Sequence, residues 1–311
     1  MPLSKIVALA RLARPHFLIG TSIAYLVGAL MARRETGTWN WTAFGIGLLV
    51  VWSAQLAAQF FNEYYDQPTD RATHHRTPFN GGSGMLIGGR MKPEAARWAG
   101  RAMLLLSTAL FVGSSILPSF SVVTAIIFGL ALIGAVGYSA PPLSLVNRGM
   151  GESGTAIIGA LLVPLFGYNL QTGQVSLKLL LTCLPFAALI FANMLNVAFP
   201  DYDADRVTGK RTLVVILGPD RAARVYGLLL IVGYVAPWLT LGWGLPLIVL
   251  LAEAATLPLG LLSLREVRRG GYRTPERFWR NTRLGVSAVM AVGVAEAIGF
   301  LIAGSAAPAG I

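Results

Sequence analysis

Nine runs of apolar residues, each about as long as a lipid bilayer is thick, dominate this chain and limit what it can fold into. They lie at roughly 16–32, 41–61, 100–117, 121–138, 153–170, 177–196, 222–243, 245–264 and 284–304. A hydrocarbon core about 30 Å thick needs about 20 apolar residues in a helix. The in/out alternation over about ten residues that marks a membrane β-barrel is not seen. The spacing predicts an all-α polytopic membrane protein, one transmembrane domain over residues 1–311, with nine spans. Composition agrees: 55% of residues are apolar, 13% are charged and the mean hydropathy is +0.63. A soluble domain carries about 25% charged residues. The single cysteine, Cys183, excludes a disulfide framework and a thiolate metal cluster.

Charge sets the expected orientation. All of the 25 Lys and Arg except Arg33, Arg34 and Lys178 fall on one side of the nine spans, together with the amino terminus. The positive-inside rule makes that side cytoplasmic. It also accounts for the net charge of +11 without nucleic acid, because the basic groups face anionic lipid. The first span is read as retained, since no small-residue cleavage site follows it. Arg265–Arg283, with seven Arg, reads as a headgroup-facing connection, and the expected location is the plasma membrane. No obligate protein partner is expected.

Six of the 14 carboxylates fall in two short clusters on that basic side. The first is Asn62-Glu63-Tyr64-Tyr65-Asp66 with Asp70, opening the connection at about 62–99. The second is Asp201-Tyr202-Asp203-Ala204-Asp205, opening the one at about 197–221. Each holds an Asp-x-x-x-Asp pair. Residues four apart on a helix share a face about 5–6 Å apart. Two like charges at that distance repel by roughly 3 kcal/mol at an effective dielectric of about 20. A cation that offsets this repulsion is expected. Oxygen ligands without clustered His or Cys suit Mg²⁺, which is commonly held by one or two carboxylates while phosphate oxygens complete its shell. Two facing pairs would grip two Mg²⁺ ions bridging a diphosphate. Arg71, Arg76, Lys210 and Arg211 follow the pairs and suit that anion. The same device four spans apart suggests two repeated four-helix units plus a ninth helix.

These motifs resemble those of the UbiA-type intramembrane prenyltransferases: Asn62-Glu63-x-x-Asp66-x-x-x-Asp70, then Asp201-x-x-x-Asp205-x-x-x-Gly209-Lys210-Arg211-Thr212-Leu213. Within that family the chain is most similar to the 1,4-dihydroxy-2-naphthoate branch of menaquinone biosynthesis. The marks of that branch are the Gly-Lys-Arg-Thr-Leu run, Gly149-Met150-Gly151-Glu152, Tyr138-Ser139-Ala140-Pro141-Pro142 and Asn80-Gly81-Gly82-Ser83-Gly84. The family usually has Asp where this chain has Glu63. The resemblance implies Mg²⁺-dependent transfer of a polyprenyl group from its diphosphate to a small aromatic acceptor. It implies metal ligation by Asp66, Asp70, Asp201 and Asp205, with Asn62 and Glu63 adding oxygens. Asn62, Arg71, Lys210 and Arg211 are then expected to hold diphosphate. Tyr138 is expected near the reacting carbon, with Glu152 and Asn196 toward the acceptor. Arg14 or His16 could touch an acceptor carboxylate.

Other acceptors of the family (4-hydroxybenzoate, chlorophyllide, haem or archaeal lipid) remain open on the sequence. The alternative of another class is a cation-coupled secondary transporter, whose acids lie near the midplane on broken helices. Glu253 and Glu296, inside the eighth and ninth spans, read as a hydrogen-bonded pair between neighbouring helices rather than a second site.

Overall fold

A computed structural model describes residues 3–304, and the described residues are helical, with no β-strand among them. The helices are α1 (Leu3–Ala13), α2 (His16–Thr36), α3 (Trp41–Tyr65), α4 (Gln67–Ala72), α5 (Pro93–Gly113) and α6 (Val122–Gly137). Then follow α7 (Gly151–Ile157), α8 (Val163–Thr172), α9 (Leu177–Ala198), α10 (Tyr202–Val207), α11 (Leu213–Leu217) and α12 (Pro219–Val235). The last three are α13 (Leu247–Ala254), α14 (Leu257–Arg268) and α15 (Pro275–Ala303). Eight helical segments are long and apolar enough to cross a membrane; α6, with 16 residues, is shorter.

Local sequence sets the helix ends. Asn40 caps α3 by accepting the Ala43 N–H at 3.0 Å, and Ser176 caps α9 through Leu179 at 3.1 Å. Ser121 and Thr124 form a reciprocal capping box at the start of α6. Gly37 closes α2 at φ 71°, returning its N–H to Arg33. Pro164 has no N–H to donate, and the chain relaxes into a π turn over Ile158–Leu162 between α7 and α8.

Small residues then let the helices approach. A Cβ at Gly28 would lie 1.8 Å from the Pro164 carbonyl, and one at Gly167 would lie 2.4 Å from the Tyr25 carbonyl, so α2 and α8 touch backbone to backbone. Lipid tails are as apolar as leucine, so such close packing, rather than burial from water, drives association inside a bilayer. One core cluster centres on Tyr25, Met31, Val50, Leu170 and Val249; a second, around Leu189, Leu195, Val214 and Tyr226, joins α9, α12 and α15. Outward faces carry exposed apolar side chains such as Leu105, Ile116, Leu228 and Ile302.

Two features depart from the sequence reading. The eighth span is broken between α13 and α14, where Pro258 enters. Residues 3–13, outside the nine apolar runs and given no element from the sequence, form the amphipathic helix α1. Leu12 and Ala8 pack there against Phe60, Met85, Leu86 and Ala96, while Arg11 is exposed.

Both acid-bearing connections use one construction twice. The long helix α3 runs into the short α4, and α9 runs through a turn at Phe199–Asp201 into the short α10. The two short helices pack on each other, with the Thr69 and Thr208 hydroxyls 3.1 Å apart.

Candidate active site

Helical geometry aligns each aspartate pair. The Asp66 N–H returns to the Asn62 carbonyl and the Asp70 N–H to the Asp66 carbonyl, both at 2.9 Å, so Asn62, Asp66 and Asp70 follow successive turns of one face. Asp201 and Asp205 stand the same distance apart in sequence along α10. The contact of α4 with α10 brings both pairs to one end of the bundle, around a half-open cavity of about 610 Å³.

Lys210 joins the pairs. Its Nζ donates to Asp66 Oδ2 at 2.8 Å and lies 3.8 Å from Asp205 Oδ1. Burial works against the ammonium, yet Asp66 and Asp205 outweigh it and hold the group above its ordinary range. Asn62 Nδ2 donates to Asp66 Oδ2 at 2.8 Å and reaches Ser139 at 3.0 Å. Asp205 Oδ2 accepts from Thr212 at 3.0 Å, whereas its buried Oδ1 takes no hydrogen bond.

Asp201 is fixed by the glycine-rich loop. It accepts from Asn80 Nδ2 at 2.8 Å, Thr73 Oγ1 at 3.1 Å and the Gly81 N–H at 3.2 Å. Gly82, at φ +66°, presses its backbone on Asp70 so closely that a Cβ would lie 2.2 Å from Oδ2. Burial, with Asp66 and Glu63 adding to it, pushes the Asp70 carboxyl up to about 8.

The cavity holds Asn62, Asp66, Asp70, Tyr138, Glu152, Asp201, Asp205 and Lys210 together. Four other expected residues lie off it. Glu63 is turned to the glycine loop, accepting from the Ser83 N–H and hydroxyl at 2.7 Å each. Asn196 is locked to Asn281 of α15, donating to its carbonyl at 2.9 Å and accepting from its Nδ2 at 2.5 Å. Arg71 and Arg211 are exposed. Asn80, Gly81, Gly82 and Thr212, which stand in the quoted motifs but were given no role in the site, complete the lining with Phe79 and the α9 face of Met194, Val197 and Ala198. Arg14 also lines the cavity, at φ 46° between α1 and α2. It donates to the Pro78 carbonyl at 3.0 Å and lies 4.0 Å from Glu63. Burial pulls this guanidinium down, against the raising pull of Glu63, Asp70 and Asp201. His16 packs at a tilt on Phe17 and edges onto Phe79 instead. Of the two residues offered from the sequence for an acceptor carboxylate, Arg14 alone therefore reaches the cavity lining.

Among the described residues no three Asp, Glu, His or Cys side chains stand close enough to enclose a metal ion alone. What the cavity offers is paired hard oxygens, including Asp205 Oδ1, which accepts no hydrogen bond, with room between the pairs. That donor set fits Mg²⁺, which keeps waters and substrate oxygens in its shell, and does not fit a metal that needs a full protein cage. Glu253 and Glu296 are buried on α13 and α15, away from the cavity lining.

The sequence profile of the UbiA prenyltransferase family matches residues 21–286. The 1,4-dihydroxy-2-naphthoate octaprenyltransferase of Bacillus subtilis (strain 168) is 26% identical over 246 residues, covering 74% of this chain and 75% of that protein. Among solved structures, the UbiA homolog from Archaeoglobus fulgidus bound to GPP and Mg²⁺ superposes with a TM-score of 0.65 at 19% identity, covering 94% of this chain and 99% of that one. The apo UbiA homolog from Aeropyrum pernix K1 gives 0.67 at 16% identity, over 90% and 96%. The transporter alternative is thereby overturned. With the profile spanning most of the sequence and both aspartate pairs on one cavity, the chain belongs to the UbiA prenyltransferase family of membrane enzymes.

Proposed function

We propose that this prenyltransferase moves a polyprenyl group from its diphosphate to 1,4-dihydroxy-2-naphthoate, a step of menaquinone biosynthesis. In this reading it depends on two Mg²⁺ ions and its site faces the cytoplasm across the plasma membrane. The observation that carries the reading is the convergence of two aspartate pairs and Lys210 on a cavity that also has Tyr138 and Glu152 in its wall. The naphthoate acceptor is supported by the Bacillus subtilis relative and the metal by the fit of the paired carboxylates. The cytoplasmic face is supported by the basic residues that share this end of the bundle.

Asp66, Asp70, Asp201 and Asp205 would hold the ions, with Asn62 orienting Asp66. Bound Mg²⁺ supplies charge neutralisation for the departing diphosphate. Lys210 turns from Asp66 to the diphosphate oxygens and stabilises the charge that develops there. Arg14 presents a second cation to that end. The Tyr138 ring faces the allylic carbon, where a cation over an aromatic face gains about 0.5–2 kcal/mol. Met194, Val197 and Ala198 line the cavity with apolar surface and keep water from the reacting carbon. Glu152 lies on the acceptor side.

Purified enzyme in lipid nanodiscs, given a radiolabelled polyprenyl diphosphate and a panel of aromatic acids, tests the reading. Prenylated product and CO₂ from dihydroxynaphthoate, lost on chelation and restored by Mg²⁺, are expected. Preferred transfer to 4-hydroxybenzoate or to a non-aromatic alcohol would refute the acceptor. Undiminished turnover in EDTA would refute the metal.

A further inference from the structure

When a prenyl carbon joins a hydroxylated ring, the ring gains positive charge, and some group must hold the hydroxyl proton while the new bond forms. The carboxylates of the cavity are not equally free to do so. Asp66 is committed to Lys210 and Asn62, and Asp201 accepts three hydrogen bonds. Asp70 and Asp205 belong to the pairs assigned to the ions. Glu152 belongs to neither pair. It stands in the first turn of α7, is 4% exposed and lines the cavity together with Tyr138 and Met194. Its two oxygens differ. Oε1 accepts the Leu213 N–H at 2.9 Å, which fixes the carboxylate, while the buried Oε2 has no partner at all. A buried carboxylate oxygen left without a donor is costly unless a ligand supplies one.

We propose that Glu152 Oε2 is the general base that takes the ring-hydroxyl proton of the aromatic acceptor; this rests on the prenyl-transfer reading above. The C1–O bond of the allylic diphosphate breaks, and its electron pair leaves with the diphosphate. Ring π electrons form the new bond to C1, and the hydroxyl O–H pair becomes a ring carbonyl as the proton passes to Oε2. The ring carboxylate then leaves as CO₂, its bonding pair restores the aromatic ring, and the ring oxygen recovers its proton from Glu152. The tether gives this base a definite place. Leu213 lies three residues beyond Lys210, and Thr212 between them holds Asp205. One short segment thus positions both the diphosphate cation and the acceptor base.

Glu152→Gln keeps an oxygen for the Leu213 N–H but cannot take a proton. With full-length enzyme, Mg²⁺, geranyl diphosphate and dihydroxynaphthoate, kcat falls by about 10²-fold or more, the usual contribution of a positioned base. Binding of geranyl S-thiolodiphosphate with Mg²⁺ stays within about threefold of wild type. In Glu152→Ala, added formate restores part of the lost turnover, which a purely structural role would not allow. Turnover of Glu152→Gln within about threefold of wild type overturns the base alone, as does loss of thiolodiphosphate binding in step with turnover, or failure of formate to rescue. Wild-type transfer that is equally fast to ring acceptors without an ionisable hydroxyl overturns the base and the acceptor reading together.

Discussion

Replacing Lys210 by Met separates the two tasks assigned to this ammonium. In the absence of substrate it bridges two carboxylates, the half-buried Asp66 at 2.8 Å and the buried Asp205 at 3.8 Å. At an effective dielectric of about 20 those distances correspond to gross attractions of about 6 and about 4 kcal/mol. Desolvation of the ammonium offsets much of this, and removing one partner of a buried pair typically costs about 3–5 kcal/mol. At roughly 2 °C per kcal/mol for a chain of this size, the metal-free variant melts about 6–10 °C below wild type. Mg²⁺ then occupies the space that the ammonium held, so the ion raises the melting temperature of Lys210→Met more than that of wild type, while turnover falls. Thermal melts of nanodisc-embedded enzyme with and without Mg²⁺ read both effects. A Mg²⁺-dependent shift no larger in the variant than in wild type would refute the shared use of these carboxylates.

Four further substitutions test the frame around the site. Asn80→Ala removes the 2.8 Å donor to Asp201 and leaves Thr77 without its acceptor; we expect turnover to fall at least about 10-fold and half-saturation by Mg²⁺ to rise, measured by titration. Asn196→Ala breaks the buried amide pair with Asn281 and costs about 1–3 kcal/mol in melting experiments, whereas the KM for the acceptor stays near wild type; a large KM increase instead would return Asn196 to the acceptor site. Gly28→Val drives side-chain atoms into the Pro164 backbone, so folded yield in detergent gel filtration drops sharply, while Gly45→Ala, with open space at its Cβ, is tolerated.

The motif residues were legible because their spacing matches the helix period. Asn62, Asp66 and Asp70 fall on one face whatever surrounds them, and their counterparts on α10 repeat the arrangement. Glu63 shows the limit of that logic. It is adjacent to Asn62, but one residue along a helix turns a side chain by about 100°, and Glu63 therefore reaches Ser83 and Arg14 instead of the cavity. Asn196 falls on the face of α9 toward α15, which spacing within one helix cannot reveal. α1 escaped notice because a helix lying along a surface needs no bilayer-length run of apolar residues.

The sequence by itself determined that the chain lives in a membrane, which end of it carries charge, and which residues could answer a diphosphate. Those properties depend on composition and on periods of a few residues, so they survive without knowledge of contacts. Only the tertiary structure decided that the two aspartate pairs meet, that Lys210 stands between them, and that Arg14, the Asn80–Gly82 loop and the free oxygen of Glu152 share their cavity. The meetings of Lys210 with Asp66 and of Asn80 with Asp201 join residues more than a hundred positions apart, and they depend on how closely α4 and α10, or α2 and α8, can approach. Packing at that scale is set by the absence of a side chain at Gly28 or Gly82 as much as by any charged group.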